Sequence, residues 1–276
     1  MKAAHLSTLL LAGLVACRGG AQHAQTAEQQ HAGSSIPAAI LGQAPPPSGT
    51  AVRYVPGDSA TVGYLAVPDG DGPSPALILI HEWNGLADRV RQVADAFADE
   101  GYVALAADLY KGRTGANRDQ NMALVEETRG GMDAVIANLD AAQAFLRNRP
   151  DVTGKVAVMG WCFGGGIALS YGLGGEQHDG TAIFYGSLIE DPEMLRQMHH
   201  PVYGTFGAND RGIPPEQVER FAAALDALGI ENDIHVYDHV GHGFWLRVDE
   251  DPAARTAPAQ DAWDRLLRFL SSTLRP

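Results

Sequence analysis

The sequence predicts an α/β chain folded around a mostly parallel, doubly wound sheet of eight strands with helices on both faces. Short, largely apolar runs recur along the chain, as strands buried on both sides of a parallel sheet require. Helical patterns alternate with those runs, which is the order of strand–helix–strand crossovers. The composition agrees: 45% hydrophobic and 19% charged is ordinary for a chain that buries a core. A length of 276 residues suffices to do so without disulfides or metals.

The first two strands are expected at Ala51–Val55 and Thr61–Val67, separated by the turn-forming Pro56-Gly57-Asp58. Six more follow at Ala76–His81, Val103–Ala107, Lys155–Gly160, Thr181–Gly186, Val202–Gly207 and Asp233–Tyr237. Helices are expected over Ala87–Glu100, Asp119–Arg147, Gly164–Gly172, Pro215–Leu228 and Pro258–Leu274. The last opens on a proline, which suits a first helical turn. No internal repeat or second domain is visible, so residues 51–276 read as one unit.

The segment before that unit has a different texture. Lys2 precedes the apolar run Leu9 to Ala16, too short to span a bilayer (about 20 residues) but suited to the core of a secretory signal. Leu14-Val15-Ala16-Cys17 resembles a bacterial lipobox, whose cysteine is acylated and becomes the mature N-terminus; a plain signal with an incidental cysteine is the alternative. Residues 1–17 are therefore expected to be a lipoprotein-type signal. Arg18, where aspartate would suggest retention at the inner membrane, points to an exported protein on the periplasmic face, lipid-anchored to the outer membrane. Residues 18–50 are rich in Ala, Gln, Gly, Ser and Pro, lack apolar periodicity, and read as a disordered tether.

Charge and cysteine count narrow the partners. A net charge of -13 argues against nucleic acid or an anionic membrane surface, since both recruit Lys and Arg. Any membrane contact is then through the lipid anchor. The chain has two cysteines, Cys17 and Cys162. With Cys17 acylated, Cys162 is a free thiol in an oxidising compartment, where a lone thiol is easiest to understand if it does chemistry. A disulfide between the two is the alternative.

The strand Lys155–Gly160 runs into Trp161-Cys162-Phe163-Gly164-Gly165-Gly166 and then a helical pattern. Strand, sharp turn and helix make the context of a nucleophile elbow. Gly160 and Gly164 flank the cysteine because side chains there would clash in so tight a turn. The helix N-terminus behind Cys162 favours negative charge and biases the thiol toward thiolate. The glycine spacing is not that of a dinucleotide-binding G-x-G-x-x-G, and no Walker lysine follows.

An acid and a histidine should follow the nucleophile in that order, each on a loop after a later strand. Asp210 follows Val202–Gly207, and His242 follows Asp233–Tyr237. Asp238 and His239 are local rivals; Gly241 and Gly243, flanking His242, favour it. His199-His200 reads as a loop pair on the opposite edge. His81-Glu82-Trp83-Asn84-Gly85 begins like the H-E-x-x-H zinc motif but lacks its second histidine and closes a strand, so no metal is expected. The loop after that strand supplies the second oxyanion donor in this architecture, which assigns the backbone N–H groups of Trp83 and Phe163 to the oxyanion hole.

Together these residues resemble the dienelactone hydrolase family of α/β-hydrolases, over roughly residues 50 to 275. The resemblance rests on His81-Glu82, Asp108-Leu109-Tyr110, the GWCFGG elbow at 160–165, the Asp210 loop and Gly241-His242-Gly243-Phe244. It implies an α/β-hydrolase fold in which Cys162 is the nucleophile, His242 the base, Asp210 the orienting acid, and Glu82 a carboxylate that helps activate the thiol when substrate binds. It implies hydrolysis of small carboxylic esters or lactones through a thioacyl-enzyme, with no cofactor. Family members that take dienelactone hold its carboxylate with arginines, one of them four residues after the catalytic histidine; here that position is Leu246, and Arg247 comes one later. Arg118 and Arg113 lie where a second arginine could be supplied, and Tyr185, Trp245, Trp161 and Trp83 are candidates to line an acyl pocket. The alternatives are a binding lipoprotein without turnover and a thioesterase or peptidase on the same fold.

Overall fold

The computed structural model describes Met1 and residues 35–70 and 72–275. Cys17, the signal and residues 18–34 of the expected tether lie outside the described residues. Among those described, the strands are β1 (Thr50–Val52), β2 (Gly63–Ala66), β3 (Ser74–Ile80), β4 (Val103–Ala107), β5 (Val152–Trp161), β6 (Gly180–Phe184), β7 (Val202–Gly207) and β8 (Asn232–Tyr237). They form one sheet in the order β1-β2-β4-β3-β5-β6-β7-β8. The β1–β2 and β2–β4 pairs are antiparallel; every other neighbouring pair is parallel. This is the expected α/β-hydrolase sheet.

The strands read as continuous apolar runs because alternate residues feed two cores. Leu77 and Leu79 of β3 pack with helices α2 (Asp88–Asp99) and α8 (Pro252–Leu274) on one face. Ala76, Ile78 and Ile80 pack on the other face with α3 (Arg118–Gly130), α4 (Met132–Arg147) and α5 (Phe163–Gly174). Further along that face Ile183 and Phe206 meet α7 (Pro215–Ala227). The short helices α1 (Ala38–Leu41) and α6 (Pro192–Leu195) complete the set among described residues.

Three expectations are corrected. The helix expected over Asp119–Arg147 is two, because Gly130-Gly131 lowers helix propensity and Gly131 leaves the helical region at φ -122, ψ 43. The last helix opens at Pro252, capped by the Asp251 side chain on Ala254 N, and Pro258 lies inside it. The expectation of a loose tether also fails for its described part. Residues 35–49 pack on the domain, with Ile40 completely buried beside Val90 and Leu246.

The topology places the site. The chain leaves β3 for β4 on one side, and leaves β5 for β6 on the other, although β3 and β5 are neighbours. Connections that depart in opposite directions open a crevice between the strand ends, where open α/β sheets bind their ligands. Glu82 follows β3 and Cys162 follows β5 at that point.

Candidate active site

Cys162 caps α5 in a strained conformation, φ +56 and ψ -115. Such a backbone costs a non-glycine residue about 1–3 kcal/mol and persists only where its surroundings enforce it. Here they do. Cys162 N donates to Phe184 O at 2.9 Å, and Cys162 O accepts from Gly165 N at 3.1 Å and Gly166 N at 3.3 Å. A Cβ on Gly160 would overlap the Gly164 carbonyl, and one on Gly164 would stand 2.5 Å from His81 O. The two glycines of the elbow are thus required by backbone packing. The thiol is free and half-buried.

His242 and Asp210 meet Cys162 as expected. His242 Nδ1 lies 2.7 Å from Asp210 Oδ2, and the imidazole lies close enough to Cys162 for the thiol to act on its titration. Asp210 is almost fully buried and is held by Gly212 N at 2.8 Å and Ile213 N at 3.3 Å, both donating to Oδ1. Burial would raise its pKa, but the hydrogen bond from His242 and those backbone donors outweigh that and hold the carboxyl below the usual range. Burial would lower His242, and the bonds to Asp210 and Cys162 outweigh it, pushing the imidazole up to about 10. Asp238 and His239, the rivals, are exposed.

The expected oxyanion donors are the backbone N–H groups of Phe163 and Trp83. Phe163 is the first residue of α5, so its N–H has no intrahelical acceptor. Among the described residues Trp83 N–H has no backbone acceptor in the strand-end turn, where Gly85 N and Ala87 N donate instead. That turn is fixed from below by His81, which is completely buried. His81 Nε2 accepts from Leu109 N at 3.3 Å while Nδ1 donates to Glu82 O at 2.7 Å. Burial lowers the His81 pKa and keeps the ring neutral, as this donor–acceptor pair requires. Asp108 shapes the adjoining loop by accepting from Val62, Tyr110 and Gly112 amides.

Glu82 is paired with Arg247, Oε1 to Nη2 at 3.0 Å, and both are partly shielded from solvent. Arg247, one residue past the family position, thus reaches the Glu82 carboxylate that follows β3. Leu246 turns into the core, and Arg247 folds back over Gly243, where a Cβ would lie 2.6 Å from Nη1.

Other candidates are placed differently. Trp245 is completely buried, stacked 5.7 Å from Trp161, so it is core and does not line a substrate pocket. Tyr185 is also fully buried, at φ +38, with its ring edge-on to His242 at 5.1 Å; it supports the imidazole from beneath. Arg118 is exposed at the start of α3, with no contact to these residues. Arg113 is bound to Glu127 by two hydrogen bonds. His200 is no simple loop residue: it shares the Thr181 hydroxyl with buried His178, at 2.8 and 2.9 Å.

A strained cysteine at a strand–helix elbow, backed by His242 and Asp210 at a sheet crevice, defines an α/β-hydrolase. The family model described as the Dienelactone hydrolase family matches residues 61–274. A Methylorubrum extorquens protein assigned as a carboxymethylenebutenolidase is 32% identical over 222 residues, 76% of each chain. An Escherichia coli K12 protein of the same assignment is 28% identical, covering 81% of this chain and 91% of its own. The crystal structure of a Klebsiella pneumoniae protein assigned as a dienelactone hydrolase superposes with a TM-score of 0.69 at 26% identity, over 81% of this chain and 98% of that one. A Thermogutta terrifontis esterase shares the fold, with a TM-score of 0.60 at 18% identity, over 83% of this chain and 95% of that one. The chain belongs to the dienelactone hydrolase family and is a carboxylic ester hydrolase of that class.

Proposed function

We propose that this hydrolase cleaves small carboxylic esters or lactones through a Cys162-His242-Asp210 triad and a thioacyl-enzyme. The observation that carries the reading is the Asp210–His242 hydrogen bond of 2.7 Å beside the strained elbow thiol of Cys162, which acts on the imidazole. His242 accepts the thiol proton, Asp210 fixes the ring and stabilises its charge, and the sulfur attacks the ester carbonyl. The oxyanion is received by the N–H groups of Phe163 and Trp83; removing one such donor typically costs about 3 kcal/mol of transition-state stabilisation. His242 then gives its proton to the departing alkoxide, and water releases the acyl group.

The Glu82–Arg247 pair supports a substrate that carries its own carboxylate. Such a group would bind Arg247 and release Glu82 to turn toward the thiol and help activate it. Loss of p-nitrophenyl acetate turnover in Cys162→Ala, with the fold retained, is the expected result; undiminished turnover would overturn the reading. Export and lipid anchoring through Cys17 belong to the same proposal, motivated by the lipobox-like Leu14-Val15-Ala16-Cys17. Their test is whether Cys17→Ala leaves the membrane fraction.

A further inference from the structure

The family match begins at residue 61, yet residues 35–49 are ordered against the domain. Ile36 N donates to Gln260 Oε1 at 2.7 Å, and Ala39 and Ile40 of α1 are buried with Val90, Leu246 and Val248. Gly42 closes α1 at φ +73, and a Cβ there would stand 2.7 Å from Asp249 Cγ and 2.8 Å from Arg89 Nη2. Further on, Gln92 donates to Ala44 O and Pro45 O, and Ser48 N donates to Asp95. The segment is a strap laid along α2 and across the loop after β8.

Arg89 of α2 joins the strap to that loop. Its Nη1 donates to Ala39 O at 3.2 Å, Ile40 O at 3.4 Å and Leu246 O at 3.0 Å. Its Nη2 reaches both Asp249 oxygens at 3.2 Å. Leu246 immediately precedes Arg247, whose guanidinium lies on Glu82, and the same loop carries His242. Burial of Phe244, Trp245, Leu246 and Val248 seats this stretch in the core, and its carbonyls are held by Arg89 at Leu246 O and, at Arg247 O, by Glu250 N at 3.1 Å and Arg255 Nη1 at 2.6 Å. A planar fork with several fixed donors can bind this set of acceptors, which a lysine cannot reproduce.

We infer that the strap and Arg89 are positioning elements of the active site, setting the Arg247 guanidinium where a substrate carboxylate meets it. This rests on the reading of Arg247 as the carboxylate-binding group. Arg89 touches no substrate; it acts through the Leu246 carbonyl and Asp249. Its loss therefore separates esters by charge, whereas general loosening of the fold does not.

The test uses the full chain, with mono-p-nitrophenyl succinate as the carboxylate-bearing ester and p-nitrophenyl acetate as the neutral one. Arg89→Gln should raise KM for the succinate ester about tenfold, the factor expected for one lost charged hydrogen bond, and leave KM for the acetate within about twofold. Arg89→Lys should fall between the two. Gly42→Ala, which pushes on Arg89 and Asp249 from the strap side, should act in the same direction, and it stands in if Arg89→Gln does not fold. Equal changes for both esters, or no change beside a lowered melting temperature, overturn the inference. Arg247→Gln is run beside them. If it raises the succinate KM and Arg89→Gln does not, only this inference falls; if it has no effect, the carboxylate reading fails and takes the inference with it.

Discussion

Replacing Asp210 by asparagine tests the triad with little change of shape. The carboxylate is nearly buried, with Oδ2 at 2.7 Å from His242 Nδ1 and Oδ1 accepting from Gly212 and Ile213. An asparagine that keeps its oxygen on those two amides must present its NH₂ to His242, favouring the tautomer whose Nε2 already carries a proton. The lost charged hydrogen bond is worth about 1.5–3 kcal/mol. Wrong tautomers cost serine triads about 10⁴ in kcat, but a thiol depends less on its base than a hydroxyl does. Asp210→Asn should therefore lower kcat for p-nitrophenyl acetate about a hundredfold. The measurement is kcat from about pH 5 to about pH 10, beside thermal melts. The His242 titration, held up at about 10 by burial-opposed bonds to Asp210 and Cys162, should move down toward its ordinary value. A folded Asp210→Asn protein with kcat within about twofold of the parent and an unshifted profile would refute the reasoning.

Three further outcomes are expected. Gly164→Ala places a methyl 2.5 Å from His81 O, backbone against backbone, and should cost at least about 2 kcal/mol in urea unfolding; an unchanged midpoint contradicts the elbow packing. Ile40→Ala should cost about 2–4 kcal/mol because the side chain is wholly buried, while no change would return residues 35–49 to the status of a loose tether. His178 and His200 are held at about 4 and about 3, by burial first, and by each other's charge in the case of His200. The unfolded chain takes up protons near 6.5 while the folded one does not, so stability should fall as the pH drops from 6.5 toward 4, by up to about 1.4 kcal/mol per pH unit for each histidine. Urea midpoints at neutral and mildly acidic pH check this, and His178→Gln should flatten the slope.

Much of the site was legible because its parts leave marks in the sequence. Strands buried on both faces cannot alternate in polarity, so β3 to β7 stand out as apolar runs; Glu82, Cys162 and Asp210 follow three of them, and His242 follows the less buried β8. The elbow announces itself because Gly160 and Gly164 answer a backbone clash. Arg89 leaves no such mark: its partners are mainly carbonyl oxygens, which every residue carries. The strap anchors itself through one fully buried isoleucine and a few backbone bonds, too little to produce periodicity. That Arg247, one residue past the position the resemblance marks, reaches Glu82 depends on the loop folding over Gly243, which leaves no pattern in the sequence. Tyr185 and Trp245, aromatic and close in sequence to strand ends or to His242, looked like pocket walls; the sheet's inner face claimed both.

The acyl-enzyme is the most direct test of the central claim. Protein mixed with p-nitrophenyl acetate is quenched in acid during turnover, digested, and analysed by peptide mass spectrometry. An acetyl group is expected on the peptide containing Cys162, accumulating further when His242→Gln slows its release, and none in Cys162→Ala. Full turnover with the acetyl group on another residue, or undiminished turnover by Cys162→Ala, would contradict it.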